Sequence, residues 1–79
     1  MNQAILFNDD ASFNATQQRI EFTAMNSGLI IRCCVAFEGE EVTALAHFAK
    51  HQFDYEMQAE ELIEEESYSA EGEVLLSRV

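Results

Sequence analysis

The sequence predicts a small α+β domain: an antiparallel sheet of three to four strands with two helices on one face, in the order β-β-β-α-α-β. Three observations predict it. Residues 19–24 alternate between apolar and polar, and a second, more apolar strand pattern over 29–36 follows the turn-forming Met25-Asn26-Ser27-Gly28. Beyond Phe37 the apolar period lengthens to three and four residues, the spacing of a helical stripe. After Gly72 a strand pattern returns, with Val74 and Leu76 on one face.

Taken in order, Ala4–Phe7 is a short apolar run with strand character, and Asn8 to Gln18 reads as a polar connecting loop. Phe13 is the one large apolar group in that loop and is expected to fold back as an anchor. In Arg19–Ala24, Ile20, Phe22 and Ala24 share one face while Arg19, Glu21 and Thr23 share the other. Met25-Asn26-Ser27-Gly28 supplies turn chemistry, because Asn and Gly tolerate positive φ. Leu29–Ala36 completes a β-hairpin. Leu29, Ile31, Cys33 and Val35 fall on one face; Ile30, Arg32, Cys34 and Ala36 fall on the other. Arg32 marks its face as the wetter one, so Cys33 is the more buried thiol of the pair.

Val42, Leu45, Ala46, Ala49 and Phe53 recur as the expected buried stripe of a first helix. Tyr55, Ala59, Leu62 and Ile63 recur in a second, with glutamates around the rest. The bend is expected at Gln52-Phe53-Asp54, where Asp54 is a fair N-cap; one long kinked helix is the alternative, since the chain contains no proline to force a break. Ser67–Gly72 is turn-like.

Seventy-nine residues make a single domain, spanning 1–79, with a core of modest size. Fifteen acidic against four basic residues give a formal charge of −11, and nine of the acids lie between Asp54 and Glu73. Such a surface repels phosphate backbones and anionic lipid, and attracts basic partners or cations. Direct nucleic-acid and membrane binding are therefore not expected. Self-repulsion at this charge costs stability, and a homodimer that buried apolar area would offset it. The N-terminus lacks a basic segment and a long apolar run, and no stretch approaches a spanning helix. A cytoplasmic chain with reduced thiols is expected, and a disulfide between the neighbouring Cys33 and Cys34 is disfavoured by ring strain.

His47 and His51 stand at i and i+4, so a helix places both on one face, where Cys34 or a Glu joining them would make a metal site. The intervening Phe48, Ala49 and Lys50 contain no Glu, so this is no HExxH, and Lys50 adds an unhelpful positive charge. Two polar residues on an exposed helix face explain the pair as well, and no metal or other cofactor is expected. Glu56, Glu60 and Glu64 form one acidic column, with Glu61 and Glu65 in a second. Like charges at this spacing destabilise a helix by a few tenths of a kcal/mol each, so the columns either meet a basic partner or simply keep a small protein soluble. Glu64-Glu65-Glu66 opposes the helix dipole, and that end is expected to fray unless something basic meets it. Cys33 and Cys34 are small apolar strand residues unless a nearby cation lowers a thiol pKa. No calcium loop, phosphate loop or nucleophile–base–acid set is present, and the balance is against an enzyme.

Met1-Asn2-Gln3-Ala4-Ile5-x-Phe7, Ile20-x-Phe22-x-Ala24, the strand Gly28-x-x-x-x-Cys33 and the helix His51-x-Phe53-Asp54…Ala59…Leu62-Ile63 resemble a family of short bacterial proteins of unknown function (domain of unknown function fourteen-eighty-eight). The resemblance spans nearly the whole chain and rests on core positions and turns. It implies a fold and no reaction; some members bear a loose label as regulators of transcription. Between Phe37 and Val42 relatives carry a longer segment, so a site held there is missing from this chain. The expected function is a small interaction or regulatory module whose acidic helix face docks a basic protein surface, or which self-associates. Two readings compete: a metal- or thiol-dependent site on His47 and His51, and an acidic mimic of nucleic acid acting on a DNA-binding protein.

Overall fold

The computed structural model describes residues 5–79. Of the strand expected over Ala4–Phe7, Ala4 lies outside them, and so does the Met1-Asn2-Gln3 opening. The chain runs β1 (Ile5–Phe7), β2 (Ser12–Asn14), β3 (Arg19–Asn26), β4 (Leu29–Ala36), α1 (Glu41–Glu64) and β5 (Val74–Leu76). The sheet order is β1-β3-β4-β5, with β2 also on β3. The α+β class holds, but the sheet is mixed and carries one helix.

The hairpin forms as its alternation predicts. β3 and β4 pair antiparallel from Asn26↔Leu29 to Arg19↔Ala36. The connecting turn is Ser27-Gly28 alone, with φ of 54° and 86°, the positive pair that matches the twist of two antiparallel strands. Met25 and Asn26 belong to the strand rather than to the turn.

The polar segment after Phe7 is not all loop. β1 pairs with residues 24–26 and β2 with residues 19–21, both along the same edge of β3. They form one edge strand interrupted at Asn8–Ala11, where four residues stand opposite Phe22 and Thr23. Asp9 takes a positive φ of 55° there. The Asp10 carboxylate replaces the lost ladder by accepting the Thr23 backbone N–H at 2.9 Å and its hydroxyl at 2.6 Å. Phe13 packs on the core edge-to-face with Phe37, ring centroids 6.5 Å apart, and anchors as expected.

The two expected helices are one, kinked at His51, whose φ of −113° and ψ of 18° are not helical. This changes the sheet. A chain that leaves β4 and crosses back through a single helix re-enters the sheet in its original direction. β5 therefore pairs parallel to β4, Cys33↔Val74 to Val35↔Leu76. Two helices in a hairpin would have reversed it.

The buried helix residues are Ala44, Phe48, Tyr55, Ala59 and Ile63. The second half is as expected; the first half is not. Val42 and Phe53, assigned to the core by spacing, are 81% and 73% exposed. Phe48 packs on Phe22 at 4.9 Å and stacks on Tyr55 at 5.8 Å, joining helix to sheet together with Ile20, Ile31, Cys33, Val35 and Val74. The helix C-terminus is closed by backbone rather than by a basic side chain. Glu66, at φ 57°, donates to the Ile63 carbonyl, and Ser67 donates to that of Leu62. This pairing satisfies carbonyls of the last turn without a basic side chain.

Candidate functional site

The solvent side of α1 carries the chemistry that the acidic composition leads one to look for. Asp54, Met57, Gln58, Glu60, Glu61 and Glu64 line one open depression of about 520 Å³. Glu56 holds the Gln52 amide at 2.9 Å, and Glu65 is the residue on which the helix ends. Among the described residues the ion pairs are Arg19–Glu21, Arg19–Glu73, Arg32–Glu73 and a long His51–Asp54 contact at 3.9 Å. None neutralises Glu56, Glu60, Glu61, Glu64 or Glu65. The helix thus presents carboxylates held close together by its own rise and turn, with a negative potential that no internal cation cancels. Beside them, Val42, Phe53 and Met57 stand in solvent on the same side of the helix.

The histidines lie elsewhere, on the flank of the helix that meets the C-terminal segment. The His47 and His51 rings are 4.7 Å apart between centroids, as their spacing predicts. They are not on a bare polar face. His47 Nε2 is 2.7 Å from the Tyr55 hydroxyl, which also accepts the Val79 N–H at 3.0 Å. The His47 ring lies 5.2 Å from the Phe37 ring, and the Arg78 guanidinium sits 4.3 Å above the Phe37 ring. Burial first, then the positive charges of His51, Arg78 and Lys50, hold the His47 pKa below its ordinary value.

Cys34 does not join the pair. It lies on the far face of the sheet beneath Arg19, Glu21, Glu73 and Arg32, and among the described residues no three His, Cys, Asp or Glu side chains converge as metal ligands. Both thiols are free and buried, Cys34 as well as Cys33. Burial pushes the Cys33 thiol up to about 12, with Cys34 and Asp10 adding to it. It pushes Cys34 up to about 11, Arg19 and Arg32 offsetting part of the effect and Glu73 and Glu21 reinforcing it. Neither is a thiolate near neutrality, which is the form a nucleophile or redox centre requires.

Sequence reasoning missed Tyr55, Phe37 and Arg78 as partners of the histidines. Tyr55 was within reach, since 47, 51 and 55 form an i, i+4, i+8 column; Phe37 and Arg78 arrive only through the tertiary fold. It also missed Glu73 as the acid shared by two arginines across the sheet, at 3.1 Å from Arg19 and 3.4 Å from Arg32.

The family model described as a protein of unknown function (DUF1488) matches residues 5–76. An uncharacterized protein YrdB of Escherichia coli (strain K12) is 33% identical over 96% of this chain and 99% of its own length. An uncharacterized YrdB of Shigella flexneri is 32% identical over the same shares. The crystal structure of a protein of unknown function from the DUF1488 family of Shewanella loihica PV-4 superposes with a TM-score of 0.90 at 31% identity, covering 100% of this chain and 98% of that one.

Proposed function

The chain belongs to the DUF1488 family, which brings a fold and no activity, and from that premise we propose that it is a non-enzymatic docking module for a protein with a basic surface. The observation that carries the reading is the outer side of α1, where Glu56, Glu60, Glu61, Glu64 and Glu65 have no ion-pair partner among the described residues. Glu60, Glu61 and Glu64 line an open depression with Asp54, Met57 and Gln58. A solvated acidic face needs no depression and no exposed Met57; a docking face uses both. The imidazoles and thiols support a structural role, since His47 is tied to Tyr55 and each thiol is held protonated by burial.

The module is proposed to act in the cytoplasm, where its free thiols stay reduced. No helix among the described residues is long and apolar enough to cross a membrane. Affinity capture with the wild-type chain and with a Glu60→Lys/Glu61→Lys/Glu64→Lys variant, each at low and high salt, tests the proposal. A bound protein is expected that the variant loses and that high salt releases. Capture that ignores both ionic strength and the charge reversal sinks it.

A further inference from the structure

We infer that the element covering this module is a basic amphipathic helix lying lengthwise on the outer side of α1. The inference rests on the docking reading above and adds the form of the partner. Val42, Ala46, Ala49 and Phe53 follow one another at spacings of four, three and four, and all are exposed. Met57 continues the row one turn further on, half in solvent. From Val42 to Met57 the row covers at most about 22 Å at the helical rise, with the kink at His51 falling between Ala49 and Phe53. The row advances eleven residues in three turns from Val42 to Phe53 and fifteen in four to Met57, close enough to the helical period to stay on one side of α1. Ala46 and Ala49 form a low saddle between Val42 and Phe53, where a large partner side chain fits between the two.

The rim identifies the partner's charge. Glu41 is exposed at one end of the ridge, and Asp54, Glu60, Glu61 and Glu64 flank the other, with Lys50 the one cation beside it. A second copy of this chain is the obvious alternative, since antiparallel pairing about the middle of the ridge sets Val42 on Met57 and Ala46 on Phe53. The same pairing gives the rim acids no basic partner: Glu41 falls opposite Gln58 and Asp54 opposite Leu45. A parallel pairing sets each glutamate beside its own copy. Both pile like charge on a protomer already at −11. A helix with an apolar stripe at three- and four-residue spacing and Lys or Arg beside it meets the ridge and the rim together.

The test is fluorescence anisotropy of the full chain with a labelled peptide carrying Leu at heptad core positions and Lys beside them. A peptide of the same composition in scrambled order, lacking the apolar stripe, is the comparison. The heptad peptide is expected to bind at least about tenfold more tightly than the scrambled one, and Phe53→Ser, an exposed change, to remove that advantage. Equal binding of both peptides overturns the helix inference while leaving the charge-based docking reading standing. Binding of neither removes both. A chain that sediments as a dimer in its wild-type form and as a monomer with Phe53→Ser assigns the ridge to a second copy and overturns the inference directly.

Discussion

Phe48 and Phe53 lie five positions apart on one helix and meet opposite environments. Phe48 is buried against Phe22 and Tyr55, while Phe53 stands 73% exposed. Reading the helix by apolar mass selects Val42, Leu45, Ala46, Ala49 and Phe53, the heavier stripe. The sheet instead receives Ala44 and Phe48, a thinner stripe with His51 where the next apolar residue would fall. Its register was present in Tyr55, Ala59 and Ile63: stepping back from Tyr55 by seven and eleven positions reaches Phe48 and Ala44. Phe48→Ala is expected to cost about 3–5 kcal/mol in urea denaturation, and Phe53→Ser to stay within about 0.5 kcal/mol of wild type. The opposite ranking would falsify the assignment of faces. At this scale the exposure of Glu61, Glu64 and Glu65 was legible from their charge, while Glu56 and Glu60 are half-buried on the helix flank. The exposed apolar ridge beside them was not legible, because its residues look like core until the sheet has chosen the other side.

Among the elements, the hairpin is the one most legible in the local sequence. An alternating run, a more apolar run and the Ser27-Gly28 between them give the pairing, while the ladder extends through Met25 and Asn26, which read as turn. The helix shows the limits of local signals. Its N-terminus has Glu40 at the cap position with no side-chain hydrogen bond, and its interior bends at His51 without a proline. Its end is set by Glu66 in the left-handed region, where a Cβ is strained and glycine is not. Glu66→Gly also removes one acid from the negative end of the helix dipole. It is expected to stabilise the domain by about 1 kcal/mol, read as a higher urea midpoint at unchanged slope. An unchanged or lower midpoint shows that the closing turn is not holding the helix end. β2 was read as loop because Asn8–Gln18 is polar, yet Asp10 carries the interruption through its contacts with Thr23. A side chain that substitutes for a backbone acceptor leaves no periodic trace.

For the molecule as a whole, charge sets how stability responds to acid. The folded state holds the His47 pKa below its free value, so the unfolded chain takes up that proton first. The corresponding stability is present above about pH 6.5 and is lost as pH falls through the window below it. Asp10 and Glu21 follow at lower pH. Burial raises both, but Thr23 outweighs it at Asp10, and Arg19 with Asn14 outweighs it at Glu21, so each sits below its ordinary value. Their stability is present above the ordinary carboxylate range and lost as pH falls through the folded values. Unfolding free energy measured from pH 7.5 downward is therefore expected to decline in two stages. His47→Gln, which cannot titrate, should flatten the upper stage alone. A wild-type profile level to pH 5 contradicts the lowering of the His47 pKa by burial and its cationic neighbours.

The sequence by itself determined the α+β class, the hairpin, the helical region and the sign of the surface, because each depends on residues close together in the chain. Only the tertiary structure decided which helix face is buried, the direction of the last strand and what surrounds the histidines. Those depend on whether the helix runs on past His51 as one body, which reverses or preserves the sense in which the chain re-enters the sheet. They depend also on the arrival of Phe37, Arg78 and Val79 beside His47 and Tyr55 from outside the helix. No local period encodes either.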